Sequence, residues 1–434
     1  MKIESPPKLE ELDFTKYIDF IGKDEVLSYL HETDKRYLYW SELKHRDYSP
    51  FASAKEAWSM VKTNRFIGAK SIYIDNYKFT YNVNSFIQED LHLFDLKLMG
   101  GLYKNSITPQ DQEEYFKNSL VEEAIASSQI EGAATTTDVA RDMIKSGRKP
   151  KTESEQMIIN NFRAIKEIEN RLDEELTNQL ILDIHEIMTV KTEASKYSGS
   201  FRNHAIYVKD HVDGEIAFTA PDHEKVDRLI FHIQHFINNE DEFIHPIIKA
   251  SILHFMIGFI HPFGDGNGRT ARALFYWYLM KKGYLLLRHI SFSKAILNSR
   301  ISYDKAFLKT EHDDNDLNYF IMYSIKSLRV AFQNLVKYRD RKRDERQKAN
   351  ELMYDLVKAG FNKRQADLLG YLFLKPDSKI STPIYSKRHD IVRQTASRDL
   401  LDLEDKGILN KYKDGKTIFF NLTDKEIIKS FLKS

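Results

Sequence analysis

The chain has 434 residues, 42% hydrophobic and 30% charged, a balance that suits a globular protein of two or three domains and excludes a disordered one. Its 65 Lys and Arg against 64 Asp and Glu leave a formal charge of +1, so a nucleic-acid or membrane partner would need a local patch. The absence of cysteine removes disulfides, thiolate metal sites and cysteine nucleophiles. The opening MKIESPPKLEELDF lacks a signal-peptide layout, and the longest apolar run, 246–263, carries Lys249, Ser251, His254 and His261. That run reads as a buried helix, and the expectation is a cytoplasmic protein with no membrane partner.

Residues 1–95 form an accessory region in which ASAKEAWSMVKTNR reads as an amphipathic helix and SIYIDNYKFTYNV as a hairpin turning at Asp75 and Asn76. They show no chemistry. Residues 96–335 read as mostly helical. In DQEEYFKNSLVEEAIASSQIEG, Phe116, Leu120, Ala124 and Ser127 recur at helical spacing, and Gly132 marks the end. ESEQMIINNFRAIKEIENRL and TNQLILDIHEIMTV are further helices. Residues 201–221 change character: AIYV and EIAF flank Asp213 and Gly214, a lone hairpin that needs a surface to lean on. Helices follow in HEKVDRLIFHIQHFINNE, in HPIIKASILHFMIGFI and in TARALFYWYLMKKG, and one more begins near Ser293 and runs through RISYDKAFLKT.

The mixed-charge run KYRDRKRDERQK, 337–348, reads as a solvated helix joining two domains. In residues 350–434 three helical stretches precede a hairpin tipped by Asp414 and Gly415, the order of a winged helix-turn-helix. RQTASRDLLDLEDKGIL resembles the recognition helix of that family. Residues 362–423 hold twelve Lys or Arg against eight Asp or Glu. DNA contact would fall to Arg393, Thr395, Ser397 and Arg398, with Lys411, Lys413 and Lys416 on the wing, although Asp399, Asp402, Glu404 and Asp405 crowd the same helix. The competing reading is a module for protein contacts.

The densest chemistry is HPFGDGNGRTAR, 261–272, directly after the greasiest stretch. A polar loop between two helices sets the second helix's N-terminus beside the loop, where free N–H groups and the dipole favour anions. Gly266, Asn267 and Gly268 tolerate the left-handed conformations of an N–H nest. Arg269 and Arg272, three apart, share a helix face and suit a polyphosphate. Asp265 is useful there with a divalent ion such as Mg²⁺, and His261 is a natural general base for a hydroxyl. No Walker loop or dinucleotide fingerprint is present. The spacing of His245, His254 and His261 does not suit zinc, and His254 is expected in the core.

These residues resemble the Fic family signature HxFx(D/E)GNGRxxR at every defined position, over a region of roughly 96–335. The resemblance implies a mainly α fold: a Fic-type helical core with a β-hairpin flap, followed by the C-terminal winged helix-turn-helix domain. It implies AMP transfer from ATP to a Ser, Thr or Tyr hydroxyl of a target protein, the enzyme itself included. His261 would accept the proton and Asp265 would hold Mg²⁺. The run Gly266, Asn267, Gly268, Arg269, Thr270, Ala271 and Arg272 would bind ATP, Phe263 would anchor the loop, and Tyr303 lies where nucleobase contacts fall. SSQIEG matches the family's inhibitory pattern through Ser127, Glu131 and Gly132, with Glu131 competing with the γ-phosphate for Arg272. Removal of AMP, transfer of another phosphate-containing group, a DNA-binding regulator and a homodimer stay open as alternatives.

Overall fold

The computed structural model describes residues 3–99, 109–209, 214–415 and 417–431. They fall into two compact units, 1–335 and 336–434. The first opens with α1 (Tyr17–Phe20), α2 (Asp24–Arg36), α3 (Trp40–Leu43) and α4 (Ala54–Ile67), then an antiparallel hairpin, β1 (Lys70–Ile74) and β2 (Tyr77–Tyr81). Next come α5 (Ser85–Leu98), α6 (Pro109–Ile130), α7 (Thr137–Ser146), α8 (Glu153–Asn170) and α9 (Asn178–Thr189). A second hairpin, β3 (Tyr207–Lys209) and β4 (Ile216–Thr219), leads to α10 (Val226–Asn238), α11 (Pro246–Ile260), α12 (Asn267–Lys281), α13 (Phe292–Leu297) and α14 (Arg300–His312). The turn residues 210–213 of that hairpin, including Asp213, lie outside the described residues.

The core gathers on α11 and α12. Isoleucine, leucine, methionine and phenylalanine all round α11 leave its sequence without a polar face, which is the composition of a helix enclosed by others. Phe218 of the second hairpin packs its ring 5.4 Å from Phe259, so the hairpin leans on the C-terminal end of α11. The single helix expected from Ser293 is broken. Asn298 and Ser299 separate α13 from α14 because the Ser299 hydroxyl bonds back to the Ala295 carbonyl at 2.9 Å and to Tyr323 Oη at 2.9 Å.

Residues 1–95 share the first unit's interior. Lys62 Nζ meets Asp313 Oδ1 at 2.9 Å with both side chains almost fully buried, and Tyr319 Oη donates to the other Asp313 oxygen at 2.8 Å. Arg65 donates to Asp34, Tyr319 and the Leu38 carbonyl, and Tyr37 Oη donates to Asp316 at 2.8 Å.

A helix of 41 residues, α15 (Asn318–Lys358), carries the mixed-charge run into the second unit. That unit holds α16 (Lys363–Leu374), α17 (Thr382–His389), α18 (Arg393–Asp405), the hairpin β5 (Leu409–Asp414) and β6 (Thr417–Leu422), and α19 (Lys425–Ser430). Ile380 bridges Phe420 of β6, and Leu369, Tyr385, Leu400 and Ile408 close its core. No helix among the described residues is long and apolar enough to cross a membrane.

Breaking a buried ion pair by deleting one partner strands the other charge. Lys62→Ala is therefore expected to destabilise the first unit by about 3–5 kcal/mol, with the Lys62→Met/Asp313→Leu pair recovering most of the loss. Urea unfolding midpoints test this, and an unchanged midpoint in Lys62→Ala refutes it.

Candidate functional site

Pro246 in the first turn and the His245 side chain accepting from the Ile247 N–H start α11. The helix ends at His261, whose left-handed backbone (φ 50°, ψ 60°) turns the chain into the loop. A non-glycine residue held there stores strain that the surrounding packing must support. His261 Nδ1 lies 2.6 Å from the Gly258 carbonyl. A carbonyl only accepts, so Nδ1 carries the proton and Nε2 offers its lone pair. Burial lowers the imidazole pKa below its ordinary value, against the pull of Glu131 and Asp265. It is neutral at pH 7, ready to take a proton.

The loop is closed from inside. Phe263 is fully buried, its ring stacked 3.6 Å from that of His185. His185 Nε2 bonds the Asp265 carbonyl at 2.8 Å, and burial pushes its pKa down to about 4. The Asn267 side chain accepts from the Phe263 N–H at 2.9 Å and donates to the Phe263 carbonyl at 2.8 Å. Arg202 donates to the His261, Ile260, His204 and Pro221 carbonyls, tying the end of α11 to both feet of the second hairpin.

The expected nest of three left-handed residues is narrower. Only Gly266 is left-handed (φ +84°), while Asn267 and Gly268 already belong to the first turn of α12. The cradle is thus a helix N-terminus behind one glycine, with orphan N–H groups facing outward. Arg269 and Arg272 are both 1% exposed. Arg269 donates to the Met188 carbonyl at 3.1 Å and lies 3.6 Å from Asp265. Arg272 Nε donates to Ser127 Oγ at 3.0 Å, while its Nη2 donates to the Ser127 carbonyl at 2.9 Å and to Glu131 Oε1 at 3.0 Å. Arg272 Nη1 and Arg269 Nε are buried with no hydrogen-bond partner among the described residues.

The end of α6 explains why Glu131 arrives there. The Ala133 N–H bonds the Ser128 carbonyl at 3.0 Å and the Gly132 N–H bonds the Gln129 carbonyl at 3.1 Å, with Gly132 left-handed. This is a Schellman stop, and it fixes Glu131 as the residue where the helix ends. Burial acts to raise the Glu131 carboxyl, but Arg272, Arg269 and Arg300 outweigh it and hold the pKa below the ordinary carboxylate value. A Cβ on Gly268 would collide with Glu131 Oε1, so the carboxylate lies directly on the first turn of α12.

His261, Glu131, Gly268 and Ala271 line one cavity of about 340 Å³ with Val208, Ala217 and Phe218 of the second hairpin and Arg300, Tyr303, Asp304, Phe307, Leu308 and Glu311. Tyr303 is a pocket wall and a core aromatic at once, its hydroxyl 2.9 Å from Nε2 of the fully buried His254. Thr270 is buried outside the lining, and its hydroxyl has no partner among the described residues. Asp265 is the exposed carboxylate of the loop, with its Oδ1 accepting the Gly266 N–H at 2.5 Å. No group of three or more His, Asp or Glu side chains among the described residues is placed to hold a metal ion. A lone carboxylate beside a phosphate cradle fits Mg²⁺, which takes most of its remaining ligands from phosphate and water.

Residues 175–279 match the Fic/DOC family. The chain is 33% identical over 114 residues to the protein adenylyltransferase Fic of Drosophila virilis, covering 25% of the chain and 21% of that relative. The corresponding protein of Nematostella vectensis is 28% identical over 177 residues, covering 40% of the chain and 39% of the relative. The chain therefore spans well under half the length of these curated relatives. Two solved structures share the fold. One is a Fic family protein from Desulfovibrio desulfuricans G20, with TM-score 0.54 and 17% identity over 77% of this chain and 96% of that one. The other is Fic-1 from C. elegans, with TM-score 0.54 and 19% identity over 73% and 86%. The chain is mainly α with a Fic-type helical core.

Motif reading passed over Arg202, His185 and Glu311. His185 lies with Ile181, Ile184 and Met188 on the apolar face of its helix, a pattern that signals a buried imidazole. Arg202 and Glu311 carry no such local signal. In the second unit Arg393 and Arg398 are exposed on α18, Thr395 and Ser397 are half-buried, Lys411 lies 3.5 Å from Glu404, and Lys413 is exposed. Lys416 lies outside the described residues. Asp399 is withdrawn into the unit, 2.7 Å from Arg364 Nε.

Burial pushes the Glu311 carboxyl up to about 8 from an ordinary value of 4.5. The folded state then keeps a proton that the unfolded state has released, so the stability this group contributes is lost as pH rises towards 8. Melting temperatures measured from pH 5 to 9 should fall more steeply for wild type than for Glu311→Gln. Parallel curves would contradict the assignment.

Proposed function

We propose that the protein is a protein adenylyltransferase that transfers AMP from ATP to a target hydroxyl and is held in check by its own Glu131. The supporting observation is the position of Arg272. It is a buried guanidinium beside the helix N-terminus and the His261 pocket, with Glu131 standing where a triphosphate oxygen would bind. The names of the relatives and the Fic fold of the core support the same reading.

The reaction follows from the residues. The target hydroxyl approaches His261 Nε2, which takes its proton as the oxygen bonds to the α-phosphorus. The bond to the β-bridging oxygen breaks and pyrophosphate leaves. Orphan N–H groups of α12 face the charge that develops on the α-phosphate, and the two guanidiniums meet the β- and γ-phosphates. Asp265 would hold Mg²⁺, which supplies charge neutralisation between the phosphates when bound. Tyr303, Val208 and Phe218 would close around the base. Glu131 and the γ-phosphate both need Arg272, so one excludes the other.

Glu131 also lines the cavity with His261, and a carboxylate there can orient a water. Removal of AMP is thus the second reading of the same site. Transfer of labelled AMP from ATP, followed by mass spectrometry of the protein itself, separates the two. Wild type should self-modify slowly, Glu131→Gly at least tenfold faster, and His261→Ala not at all. Loss of activity in Glu131→Gly, or release of AMP from a modified protein only when Glu131 is present, favours removal.

For the second unit we propose a winged helix whose α18 reaches DNA. The inward turn of Asp399 takes one carboxylate off the exposed surface of α18, where Arg393 and Arg398 lie. Gel shifts of the full chain should weaken with Arg393→Ala/Arg398→Ala and with rising salt. Equal shifts would assign this surface to protein contacts instead.

A further inference from the structure

A second concavity lies on the other side of α14. Its volume is about 740 Å³, and its walls come from the ends of α2 and α3, from α5, from α14 and from the first turns of α15. It joins the accessory region to the Fic core. Seven Lys and Arg line it against two carboxylates, in a chain whose net charge is +1. Both carboxylates are already engaged: Glu42 with Lys309 at 2.9 Å, and Asp90 with Arg329. Arg36, Arg46, Lys305 and Lys326 are exposed and have no ion-pair partner among the described residues. They come from two distant stretches of sequence, 36–46 and 305–326, so folding assembles the positive field.

The floor is apolar. Leu38, Ala306, Met322 and Ile325 lie along it, and Ile301 is 60% exposed at its edge. Of the three tyrosine rings only Tyr323 is half-buried; the other two are closed off. Tyr37 and Tyr319 are each 5% exposed with their hydroxyls spent on Asp316 and Asp313, and Tyr323 Oη is bonded to Ser299. Single-stranded nucleic acid binds by stacking successive bases on exposed aromatic faces, and this cleft has no fully exposed one and no series of them. A positive rim over an aliphatic floor instead complements an acidic polypeptide that carries aliphatic side chains.

We propose that this cleft is a docking site for an acidic, aliphatic-bearing segment of a partner protein. On α14, Ile301, Ser302 and Lys305 face the cleft while Tyr303, Asp304 and Phe307 face the His261 cavity. The two sites are therefore separated by one helix, about 10 Å across. A chain anchored in the cleft is held beside the pocket, which raises the local concentration of its hydroxyl side chains. That consequence rests on the adenylyltransferase reading; the docking itself does not.

The test is fluorescence anisotropy with the full chain, no ATP, and a labelled twelve-residue peptide of Asp, Glu and Leu, beside an oligothymidylate of matched charge. The peptide should bind saturably, weaken with salt, and lose at least tenfold in affinity in Lys305→Glu/Lys326→Glu. Arg36→Glu, on a separate element, should give a loss in the same direction, and unchanged circular dichroism confirms that each variant folds. No saturable peptide binding, equal peptide affinity in wild type and variants, or an oligothymidylate affinity that falls with the same substitutions would each overturn the proposal. Because no nucleotide is present, failure here leaves the AMP-transfer assay to stand or fall alone.

Discussion

A guanidinium that is 1% exposed has to be given an anion, and Arg272 imposes that demand on everything around it. An unpaired charge at that depth would cost several kcal/mol. Glu131 meets the demand in this structure, and a phosphate would meet it equally. The surroundings follow from that choice. The Schellman stop delivers a carboxylate at the residue that caps α6, Gly268 leaves space for it, and the orphan N–H groups of α12 add their field. Nη1 of the same guanidinium remains buried and unpaired, so the site has more donor capacity than Glu131 uses.

The rigidity of the mount is what makes such a site usable. A helix enclosed on all sides cannot shift to relieve a strained end, so His261 stays left-handed and its tautomer stays assigned by the Gly258 carbonyl. Arg202 and Asn267 then bind the loop's backbone without touching the outward face. Arg202 reaches four carbonyls and no carboxylate, which leaves the positive field at the site uncancelled. Burial accordingly lowers its pKa below the ordinary value, with only Asp222 pulling the other way.

What could be read from the chain was local. HPFGDGNGRTAR and SSQIEG each place their chemistry within a dozen residues, and hairpins at 70–81 and 207–219 follow from β-prone runs around turn residues. The extent of the nest was overdrawn because glycine permits a left-handed backbone without requiring it, and the first turn of α12 claimed Asn267 and Gly268. The break at Ser299 was hidden because it depends on a bond to Tyr323, 24 residues on. The contribution of residues 1–95 was hidden for the same reason. Lys62 and Asp313 are 251 positions apart, and no periodicity links them.

If Glu131 holds the enzyme in check as proposed, Ser127 decides how release would have to work. Two of the three bonds from α6 and its cap to Arg272 come from Ser127, one from its hydroxyl and one from its carbonyl. Only the third comes from Glu131. If the Glu131 side chain swings out, the two Ser127 bonds remain and the guanidinium keeps its orientation, with Nη1 and the vacated edge of Nη2 open to an incoming oxygen. Withdrawal of the whole α6 terminus would free Arg272 to change rotamer and would spoil the phosphate site proposed for it. On the proposed function, activation that preserves catalysis would therefore act on the Glu131 side chain while the turn before it stays in place. The end of α6 and its cap thus orient Arg272 as well as pairing it.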